Sequence, residues 1–336
     1  MPAPDLHQQI ELSLLAPAHN EQDNVQRLVD ESGAALEAAT GPGRYEFVIV
    51  DDGSTDQTRA RITALMPTRP WLRCVAMTQT PPGKGNGQSA AFHAGVRACR
   101  GRLIATIDAD LQNDPADIPA LVRKLEDGFD VVSGWRKDRQ DPLSRVVTSR
   151  CANWLISLVS GVPLHDYGCS LKAYRRDVIA DVRLYGEMHR FIPIYARMSG
   201  GRVTEMVVGH RPRKKGRSKY GFERVFKVVL DLLVVKFFLS FAAKPIYVFG
   251  GFGILCLLAS LIPAGLAVFY KLSSGDLHKD FVETPLPIVA ATLALVGSLA
   301  TLQGIIAEVL MRTYFESQGR RPYRVKALVE LDSKRE

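Results

Sequence analysis

The sequence lacks the short motifs of several common enzyme classes. No G-x-G-x-x-G follows the first predicted strand, which disfavours a dinucleotide-binding fold, and no G-x-x-x-x-G-K-[ST] is present, which excludes a P-loop. An H-E-x-x-H zinc motif and a recognisable Ser-His-Asp context are also missing. No C-x-x-C pair occurs, which argues against a zinc site or a disulfide framework and favours reduced thiols in a cytosolic domain. The cysteines are Cys74, Cys99, Cys151, Cys169 and Cys256.

Charge is missing from two long runs near the C-terminus, residues 245–270 and 285–307. Each run exceeds the roughly 20 apolar residues that cross a hydrocarbon core as a helix. Buried core helices are the alternative, but core helices of this length normally carry a polar face. We therefore predict two transmembrane helices, at about 245–270 and 285–309.

A basic start followed by an apolar run is absent from the opening MPAPDLHQQIE, so we expect the large N-terminal part to stay in the cytosol. The formal charge of the chain is +8. Basic residues cluster on both sides of the predicted spans, whereas the connecting loop is short and nearly neutral. The positive-inside rule then predicts both termini in the cytosol. Because anionic lipids attract such clusters, a membrane surface explains the charge better than nucleic acid does. The clusters are Arg211, Arg213, Lys214, Lys215, Arg217 and Lys219, and Arg312, Arg320, Arg321, Arg324 and Lys326.

The first 220 residues alternate between short apolar runs and helical segments. This alternation predicts an α/β fold with a mostly parallel sheet, whose ligands bind beyond the carboxyl ends of the strands. Three polar clusters follow predicted strands and should therefore meet: Pro17–Glu21, Asp51–Ser54 and Asp108–Asp110. The predicted strands are 11–17, 46–52, 72–77, 103–108 and 130–134, and the predicted helices are 21–39, 55–66, 87–100 and 115–128.

Acidic side chains end the fourth strand without a basic neighbour. Asp108, Asp110 and Gln112 offer oxygen ligands of the kind that suit Mg²⁺ or Mn²⁺ with a substrate diphosphate. A helix cap is the alternative, and Asp114 before Pro115 is expected to serve as one. Asp51 and Asp52 can accept hydrogen bonds from a ribose or a base, with a turn and a helix cap as their alternative. A D-x-D pair alone is weak evidence.

The order and spacing of APAHNE, VIVDDGSTDQT and TIDADLQNDP make the chain resemble glycosyltransferase family 2 with the Rossmann-like GT-A fold. The segments GWRKDRQDPLSRVVTSR, DYGCSLKAYRRDV, RFIPIYA and GRSKYGFERV are similar to the polyprenyl-phosphate branch, which includes dolichyl-phosphate mannose synthase and bacterial undecaprenyl-phosphate 4-deoxy-4-formamido-arabinose transferase. The resemblance covers roughly residues 11–325. It implies a nucleotide-sugar donor linked to UDP or GDP, a polyprenyl-phosphate acceptor and a location in the cytoplasmic (inner) membrane.

The resemblance also implies a role for individual residues. Asp108, Asp110 and Gln112 would hold Mg²⁺ or Mn²⁺. The nucleotide would contact Pro17, Ala18, Asn20, Glu21, Asp51, Asp52 and Asp108. The acceptor phosphate would bind Arg136, Arg145 and Ser149, and the catalytic set would be Asp108, Asp110, Arg136 and Arg145. A basic motif at Arg217, Ser218 and Lys219 would close near the donor. The stretch PPGKGNGQSAAFHAG departs from the family pattern, which leaves the contacts of Lys84 and Gln88 open.

Within residues 222–243, Arg224, Lys227 and Asp231 fall on one helical face at spacings of three and four, and the rest of the segment is almost wholly apolar. This pattern predicts a helix lying in the membrane interface, with a buried globular helix as the alternative. The predicted organisation is therefore a cytosolic GT-A domain (1–220), an amphipathic interfacial helix (221–244), two transmembrane helices (245–312) and a cytosolic basic tail (313–336).

The predicted reaction is the transfer of a sugar to a polyprenyl phosphate. A phosphate monoester has its second pKa at about 6, so at neutral pH it is largely a dianionic nucleophile that needs positioning rather than a general base. One in-line displacement then inverts the anomeric centre. One alternative is a polysaccharide synthase, but such enzymes usually have more spans and a Q-x-x-R-W motif. The other is a scaffold with a decayed transferase domain, which the intact Asp52, Asp108 and Asp110 disfavour.

Three further residues are interpreted from the sequence. Asp166 is a candidate for contact with the sugar, whereas His165 and His189 are expected to be structural. Whether the protein forms a homo-oligomer is left open.

Overall fold

The structure is a computed structural model that describes residues 10–79, 85–137, 143–179, 188–198, 200–212 and 245–317. The chain divides into two compact units, Met1–Val235 and Lys236–Glu336, which are described separately below. The predicted interfacial helix (221–244), the basic motif at Arg217, Ser218 and Lys219, and Lys84 lie outside the described residues. The predicted domain boundaries therefore remain predictions.

The first unit alternates strands and helices along the chain, as the sequence predicted. Short 3₁₀ turns cover Met66–Thr68, Pro115–Asp117 and Met188–Phe191. In chain order the elements are β1 (Leu12–Ala18), α1 (Val25–Thr40), β2 (Tyr45–Asp51), α2 (Thr58–Leu65), β3 (Leu72–Ala76), α3 (Gln88–Ala98), β4 (Leu103–Thr106), α4 (Ile118–Glu126), β5 (Val131–Trp135), α5 (Leu143–Ser160), β6 (Lys172–Arg175), α6 (Arg176–Ile179), α7 (Ile192–Met198) and β7 (Val203–Val207).

The seven strands form one mixed sheet in the order β3-β2-β1-β4-β6-β5-β7. The strands β3, β2, β1 and β4 run parallel, as do β5 and β7, while β6 runs antiparallel to both of its neighbours. This arrangement confirms the predicted mostly parallel sheet. The five predicted strands are present to within two residues at each end. The strands β6 and β7 were not predicted.

The central strands are buried on both faces, which explains their nearly continuous apolar sequences. On one face Leu14 and Phe47 pack in a cluster with residues of α1 and α4, such as Leu28. On the other face Leu15 and Val48 pack in a second cluster with residues of α3. Successive side chains of a strand point to opposite faces, so each strand supplies both clusters and the sheet becomes a rigid support for the loops at its ends.

The second unit is a pair of long apolar helices, α8 (Ile246–Leu272) and α9 (Leu286–Ser317), joined through a 3₁₀ turn at Gly275–Leu277. Candidate membrane spans cover Ile246–Leu272 and Leu286–Met311, with mean hydropathies of 2.4 and 1.8. The predicted spans are therefore confirmed as two helices that are long and apolar enough to cross a membrane. The helices approach closely, since a Cβ atom added to Gly253 would lie 2.6 Å from the Gly297 carbonyl oxygen. Small residues permit such contacts between membrane helices.

Candidate active site

A polar cavity of about 230 Å³ opens where β1, β2 and β4 end. These strands are parallel neighbours, so their carboxyl ends share one edge of the sheet. The topology thus brings together the three clusters that the sequence singled out. The cavity is lined by Pro17, Ala18, His19, Glu21, Asp52, Gln88, Ala91, Asp108, Ala109 and Asp110.

A sharp turn after β4 carries the two central acids. Leu111 has a φ of 61°, a left-handed conformation that residues other than glycine rarely adopt. The turn is held by the Gln112 amide, which donates to Asp110 Oδ1 at 3.2 Å. It leaves Asp108 and Asp110 partly exposed on the cavity wall. The turn that places both carboxylates on the cavity wall therefore includes a strained backbone conformation at Leu111.

Asp114 caps the 3₁₀ turn that follows, because its Oδ1 atom accepts the Ala116 amide at 3.0 Å. This confirms the predicted cap. The cap engages neither Asp108 nor Asp110, so the two acids at the cavity need a separate explanation.

Electrostatics at the two acids favour a bound cation. Burial, and then the neighbouring Asp110 carboxylate, raise the pKa of Asp108 to about 6, against the opposing effects of Ser170 and Arg136. The Gln88 side-chain amide also donates to Asp108 Oδ1 at 2.8 Å. A positive ion between the carboxylates would remove the repulsion that disfavours their charged forms.

The donor set fits a divalent ion that keeps water and takes ligands from a substrate. Asp108 and Asp110 supply carboxylate oxygens to an open, polar cavity, the environment that Mg²⁺ and Mn²⁺ prefer. Among the described residues no group of three or more His, Cys, Asp or Glu side chains could enclose a metal. The side chain of Gln112 is not part of the cavity lining, so its assignment as a ligand remains a prediction.

Asp52 lines the cavity and also fixes the turn on the opposite wall. Its carboxylate accepts the amides of Asn86 and Gly87, both at 2.8 Å, and the Asn86 side chain at 3.0 Å. Gly85 is required in this turn, because a Cβ atom there would lie 2.6 Å from Asp52 Oδ2. The turn leads directly into α3, so Asp52 positions Gln88 beside Asp108.

Asp51 is fully buried and is not among the residues that line the cavity. Its carboxylate binds Arg59 Nε at 2.7 Å and the Ser54 amide at 3.0 Å. These bonds tie the end of β2 to the start of α2. The predicted contact of Asp51 with the nucleotide stays a prediction, and its observed partners are structural.

Asn20 joins the loops that follow β1 and β2. It has a φ of 59°, its amide donates to Ser54 Oγ at 3.0 Å, and its Oδ1 atom accepts the Thr55 amide at 2.9 Å. Pro17, Ala18 and Glu21, which were predicted beside it, line the cavity directly. Asn20 itself is not among the lining residues and supports the loop that carries them.

A second cavity, of about 480 Å³, lies between β5, α5 and the loop before β6. It includes two of the predicted acceptor-phosphate residues, Arg136 and Ser149. Arg145 lies on α5, and its side chain is outside the described residues. The lining comprises Trp135, Arg136, Lys137, Ser149, Arg150, Asn153, Trp154, Ser157, Pro163, Leu164, His165 and Asp166.

A buried ion pair forms the inner wall of this second cavity. Arg136 donates from Nε to Asp166 Oδ2 at 2.7 Å and from Nη2 to Asp166 Oδ1 at 3.0 Å. Burial disfavours the charge of Arg136, but the Asp166 carboxylate outweighs burial and raises the guanidinium pKa. Because the Arg136 charge also acts on Asp108, the two cavities are electrostatically connected.

The segment 166–172 links the two cavities through contacts that the sequence did not reveal. The Ser170 side chain accepts from Asn113 Nδ2 at 2.8 Å and also bonds Asp108. Lys172 is buried and donates to the Tyr167 carbonyl oxygen at 3.0 Å. Burial lowers the pKa of Lys172 to about 8. The motif DYGCSLK was visible in the sequence, but nothing in it indicated that a lysine would be buried.

The two histidines that we expected to be structural have side-chain partners in the first unit. His165 stacks on Trp135 with ring centroids 4.2 Å apart, and its amide donates to Glu205 at 2.8 Å. His189 Nδ1 lies 2.9 Å from Ser89 Oγ. Both histidines thus bridge neighbouring segments.

Comparison with known proteins places the chain in a family. The model of Glycosyl transferase family 2 matches residues 13–183. The dodecaprenyl-phosphate galacturonate synthase of Rhizobium johnstonii is 43% identical over 330 residues, which cover 96% of this chain and 94% of the relative. The undecaprenyl-phosphate 4-deoxy-4-formamido-L-arabinose transferase of Edwardsiella ictaluri is 33% identical over 318 residues, covering 95% and 94% of the two chains.

Solved structures support the fold. The glucosyl-3-phosphoglycerate synthase of Mycobacterium tuberculosis, crystallised with Mn²⁺, UDP and phosphoglyceric acid, aligns with a TM-score of 0.53 and 19% identity. The alignment covers 68% of this chain and 79% of that one. The same synthase crystallised with Mg²⁺ and UDP also gives a TM-score of 0.53. At this identity the likeness concerns the fold, which is of the GT-A type. The matched family model and the full-length relatives show that the chain belongs to Glycosyl transferase family 2.

Proposed function

We propose that this protein transfers a sugar from a nucleotide-sugar donor to a polyprenyl phosphate, with inversion at the anomeric carbon. The single observation that carries the proposal is the 43% identity, over nearly the whole of both chains, to a dodecaprenyl-phosphate galacturonate synthase. The second unit agrees with a lipid acceptor, because it supplies two helices that are able to cross a bilayer. The reaction would take place at the cytosolic face of the inner membrane.

The smaller cavity is the proposed donor site. Pro17, Ala18 and Glu21 would border the nucleoside, with Asp52 holding the opposite wall in place. Asp108 and Asp110 would hold Mg²⁺ or Mn²⁺. Such an ion, when bound, would neutralise charge on the departing nucleoside diphosphate. A donor at this edge of the sheet follows the general placement of ligands in open α/β folds.

The larger cavity is the proposed acceptor site. Its lining includes the polar residues Arg136 and Ser149 and the apolar residues Trp154 and Leu164. This combination suits a phosphate attached to an isoprenoid chain. Asp166 would hold Arg136 in one orientation, so that its remaining N–H groups face the acceptor phosphate.

The chemistry requires positioning more than acid–base catalysis. An oxygen of the dianionic acceptor phosphate would attack the anomeric carbon, and the bond from that carbon to the donor diphosphate would break with its electron pair. No proton has to be removed from the nucleophile first. Arg136 would orient the nucleophile, and Asp108 would lie between the acceptor arginine and the leaving group. We infer one displacement without a covalent intermediate.

The sugar is proposed by similarity. The relative named for galacturonate is more similar to this chain than the relatives named for formamido-arabinose, at 43% against 33% identity. We therefore place UDP-linked uronic acids first among the donors to be tested, ahead of modified pentoses. GDP-linked sugars complete the panel, because the residues of the donor cavity do not determine the base.

A thermal-shift titration tests the donor site directly. UDP, GDP and CDP are added to the detergent-purified protein with and without Mn²⁺, and the best pair is repeated with Asp110→Asn. A ligand that binds only the folded state raises its melting temperature by mass action. We expect metal-dependent stabilisation by one nucleotide that is lost in Asp110→Asn but kept in Asp127→Asn, an exposed acid at the end of α4. No shift with any nucleotide would contradict the proposal and favour the scaffold alternative.

Product analysis tests the acceptor. The protein is reconstituted in bilayers and incubated with undecaprenyl phosphate and with sugars linked to the nucleotide that stabilised it in the titration. We expect a single sugar per lipid phosphate. A growing sugar chain would instead support the polysaccharide-synthase alternative.

A further inference from the structure

Lys172 on β6 carries a positive charge into the interior of the first unit. The residue is 3% exposed, and the strand register places it between Thr106 of β4 and Ser133 of β5, which are also buried. Residues paired in this way point to the same face of a sheet, so the three form one polar row. The residues beside the row, such as Leu15 and Tyr174, belong to the second apolar cluster.

The ammonium group of Lys172 has few hydrogen-bond acceptors. It offers three N–H donors, whereas the Tyr167 carbonyl oxygen, at 3.0 Å, is its one acceptor among the described residues. The hydroxyl of Ser133 is buried as well and has no partner within the same part of the chain. A buried charge with so few bonds is costly unless an opposite charge lies nearby. A negatively charged group that arrives near this face of the sheet would therefore be stabilised.

The bond to the Tyr167 carbonyl holds the loop before β6 against the sheet. Asp166, the residue before Tyr167, binds two nitrogens of Arg136 in the larger cavity. Near the other end of the loop, Thr106 Oγ1 donates to the Ser170 carbonyl oxygen at 2.7 Å. The polar row thus fixes the loop at two points, and the buried lysine supports the loop that orients the proposed acceptor arginine.

Charges from three segments act on Lys172. Burial lowers its pKa to about 8; Cys169 and Asp166 in the loop before β6 oppose this shift, whereas Arg190, in the 3₁₀ turn at its side, and Arg136, after β5, support it. Burial also raises the pKa of the Cys169 thiol to about 12, so Asp166 supplies the negative charge near pH 8. A dianionic phosphate beside Arg136 would add negative charge and raise the pKa of Lys172 again.

We propose that Lys172 is a positioning residue for the acceptor: in its charged form it holds the loop before β6 in place and stabilises the phosphate bound by Arg136. The inference rests on the proposed function, because it requires an anionic lipid phosphate in the larger cavity. By linkage, the charged lysine strengthens phosphate binding to the same extent that the bound phosphate keeps the lysine charged. Acceptor binding is therefore tight while Lys172 is charged and weakens as the pH rises through about 8.

Binding of farnesyl phosphate, a short isoprenoid monoester, tests the proposal at pH 7 and pH 9. The probe is largely dianionic at both pH values, since its second pKa is about 6, so a difference in affinity reports on the protein. Isothermal titration calorimetry of the full chain in detergent should show about three- to tenfold weaker binding at pH 9. Calorimetry at pH 8 in Tris and in HEPES should also show that a fraction of a proton is taken up as the phosphate binds.

Two substitutions assign the effect to the lysine. Lys172→Met removes the charge, so this variant should bind weakly at both pH values and take up no proton. Lys172→Arg keeps the charge at both, so its affinity should change by less than about twofold. Lys124→Met is the matched control, because Lys124 also donates to a backbone carbonyl oxygen, that of Glu205 at 2.7 Å, and should behave like the wild type. Melting temperatures show that each variant folds.

The outcomes separate this inference from the proposed function. Equal affinity of the wild type at pH 7 and pH 9, without proton uptake, would overturn the role of Lys172 even if a variant fails to fold. The same weakening at pH 9 in Lys172→Met would assign the pH effect to another group and overturn it as well. If farnesyl phosphate binds at neither pH, the proposed acceptor site is contradicted, and this inference with it.

Discussion

At the scale of single residues, the ion pair between Arg136 and Asp166 in the proposed acceptor site is also important for stability. Asp166 accepts both nitrogens of the Arg136 fork and, in addition, the Gly168 amide at 3.0 Å. Both side chains are nearly enclosed, with 11% and 6% of their surfaces exposed. A buried charge that loses its partner is strongly destabilising, because water cannot replace the lost bonds.

Asp166→Ala should therefore lower the free energy of unfolding by about 3–5 kcal/mol, the usual effect of breaking a buried pair. Denaturant unfolding of the wild type and the variant in the same detergent measures the difference. Asp23→Ala is the control, because Asp23 and Arg61 form an exposed pair at 3.8 Å that should contribute no more than about 1 kcal/mol. Equal losses in the two variants would show that Arg136 finds other partners.

The sequence predicted which residues meet at the smaller cavity, but not the hydrogen-bond partners of those residues. Acids that follow parallel strands must meet at one sheet edge, so the cavity at Asp52, Asp108 and Asp110 was predictable. The Asp52 bonds to the 86–87 amides and the pairing of Asp166 with Arg136 were not. They join residues more than 29 positions apart, through loops whose paths a sequence pattern does not determine.

At the scale of the elements, Glu46 on β2 connects three parts of the first unit. It is 1% exposed, and its carboxylate accepts the Arg100 amide at 2.6 Å, the Ser13 hydroxyl at 2.7 Å and Arg73 Nη1 at 2.8 Å. Burial alone would raise the pKa of Glu46, but these hydrogen bonds outweigh it and lower the pKa. The charged carboxylate thereby ties β1, β3 and the loop before β4 to the centre of the sheet.

This lowered pKa predicts a pH dependence. The stabilisation from Glu46 is complete above its unfolded pKa of about 4.3 and is lost as the pH falls through the lower folded value. Glu46→Gln should therefore melt at a lower temperature than the wild type at pH 7, and the difference should shrink as the pH falls below about 4. Glu37→Gln, at an exposed position of α1, should follow the wild type throughout. A pH-independent difference for Glu46→Gln would contradict this account.

The strand β6 was not predicted, because it forms through pairing with neighbouring strands and not through its own sequence pattern. The four residues of β6, Lys172–Arg175, include two charges and lack the apolar run of the other strands. They form a strand because β4 and β5 pair with them from both sides, and Lys172 finds the Tyr167 carbonyl inside the protein. The longer strands β1 and β2 carry seven residues each, and their apolar composition alone identified them.

At the scale of the whole molecule, the distribution of charge predicts the orientation in the membrane. Basic residues flank the two candidate spans, whereas the short connection between α8 and α9 is nearly neutral in net charge. We therefore predict that this connection lies on the outer face of the membrane and the first unit on the cytosolic face.

Ser274→Cys in a Cys151→Ser background tests the orientation. Position 274 is exposed in the connection, so a membrane-impermeant maleimide should label it in intact spheroplasts. Ala38→Cys, exposed on α1 of the first unit, should react only after lysis. Labelling of position 38 in intact spheroplasts would reverse the proposed topology.

The order of the elements along the chain also has a consequence for biosynthesis. Among the described residues the last strand of the sheet is β7, which ends at Val207, and the first candidate span begins at Ile246. At 5–20 residues per second, a ribosome needs roughly 2–8 seconds to make the intervening stretch of about 40 residues. Mixed α/β domains fold within milliseconds to seconds. The first unit therefore has time to fold before the first candidate span leaves the ribosome. A domain that is already folded cannot be translocated as an extended chain, which agrees with the cytosolic location predicted for the first unit.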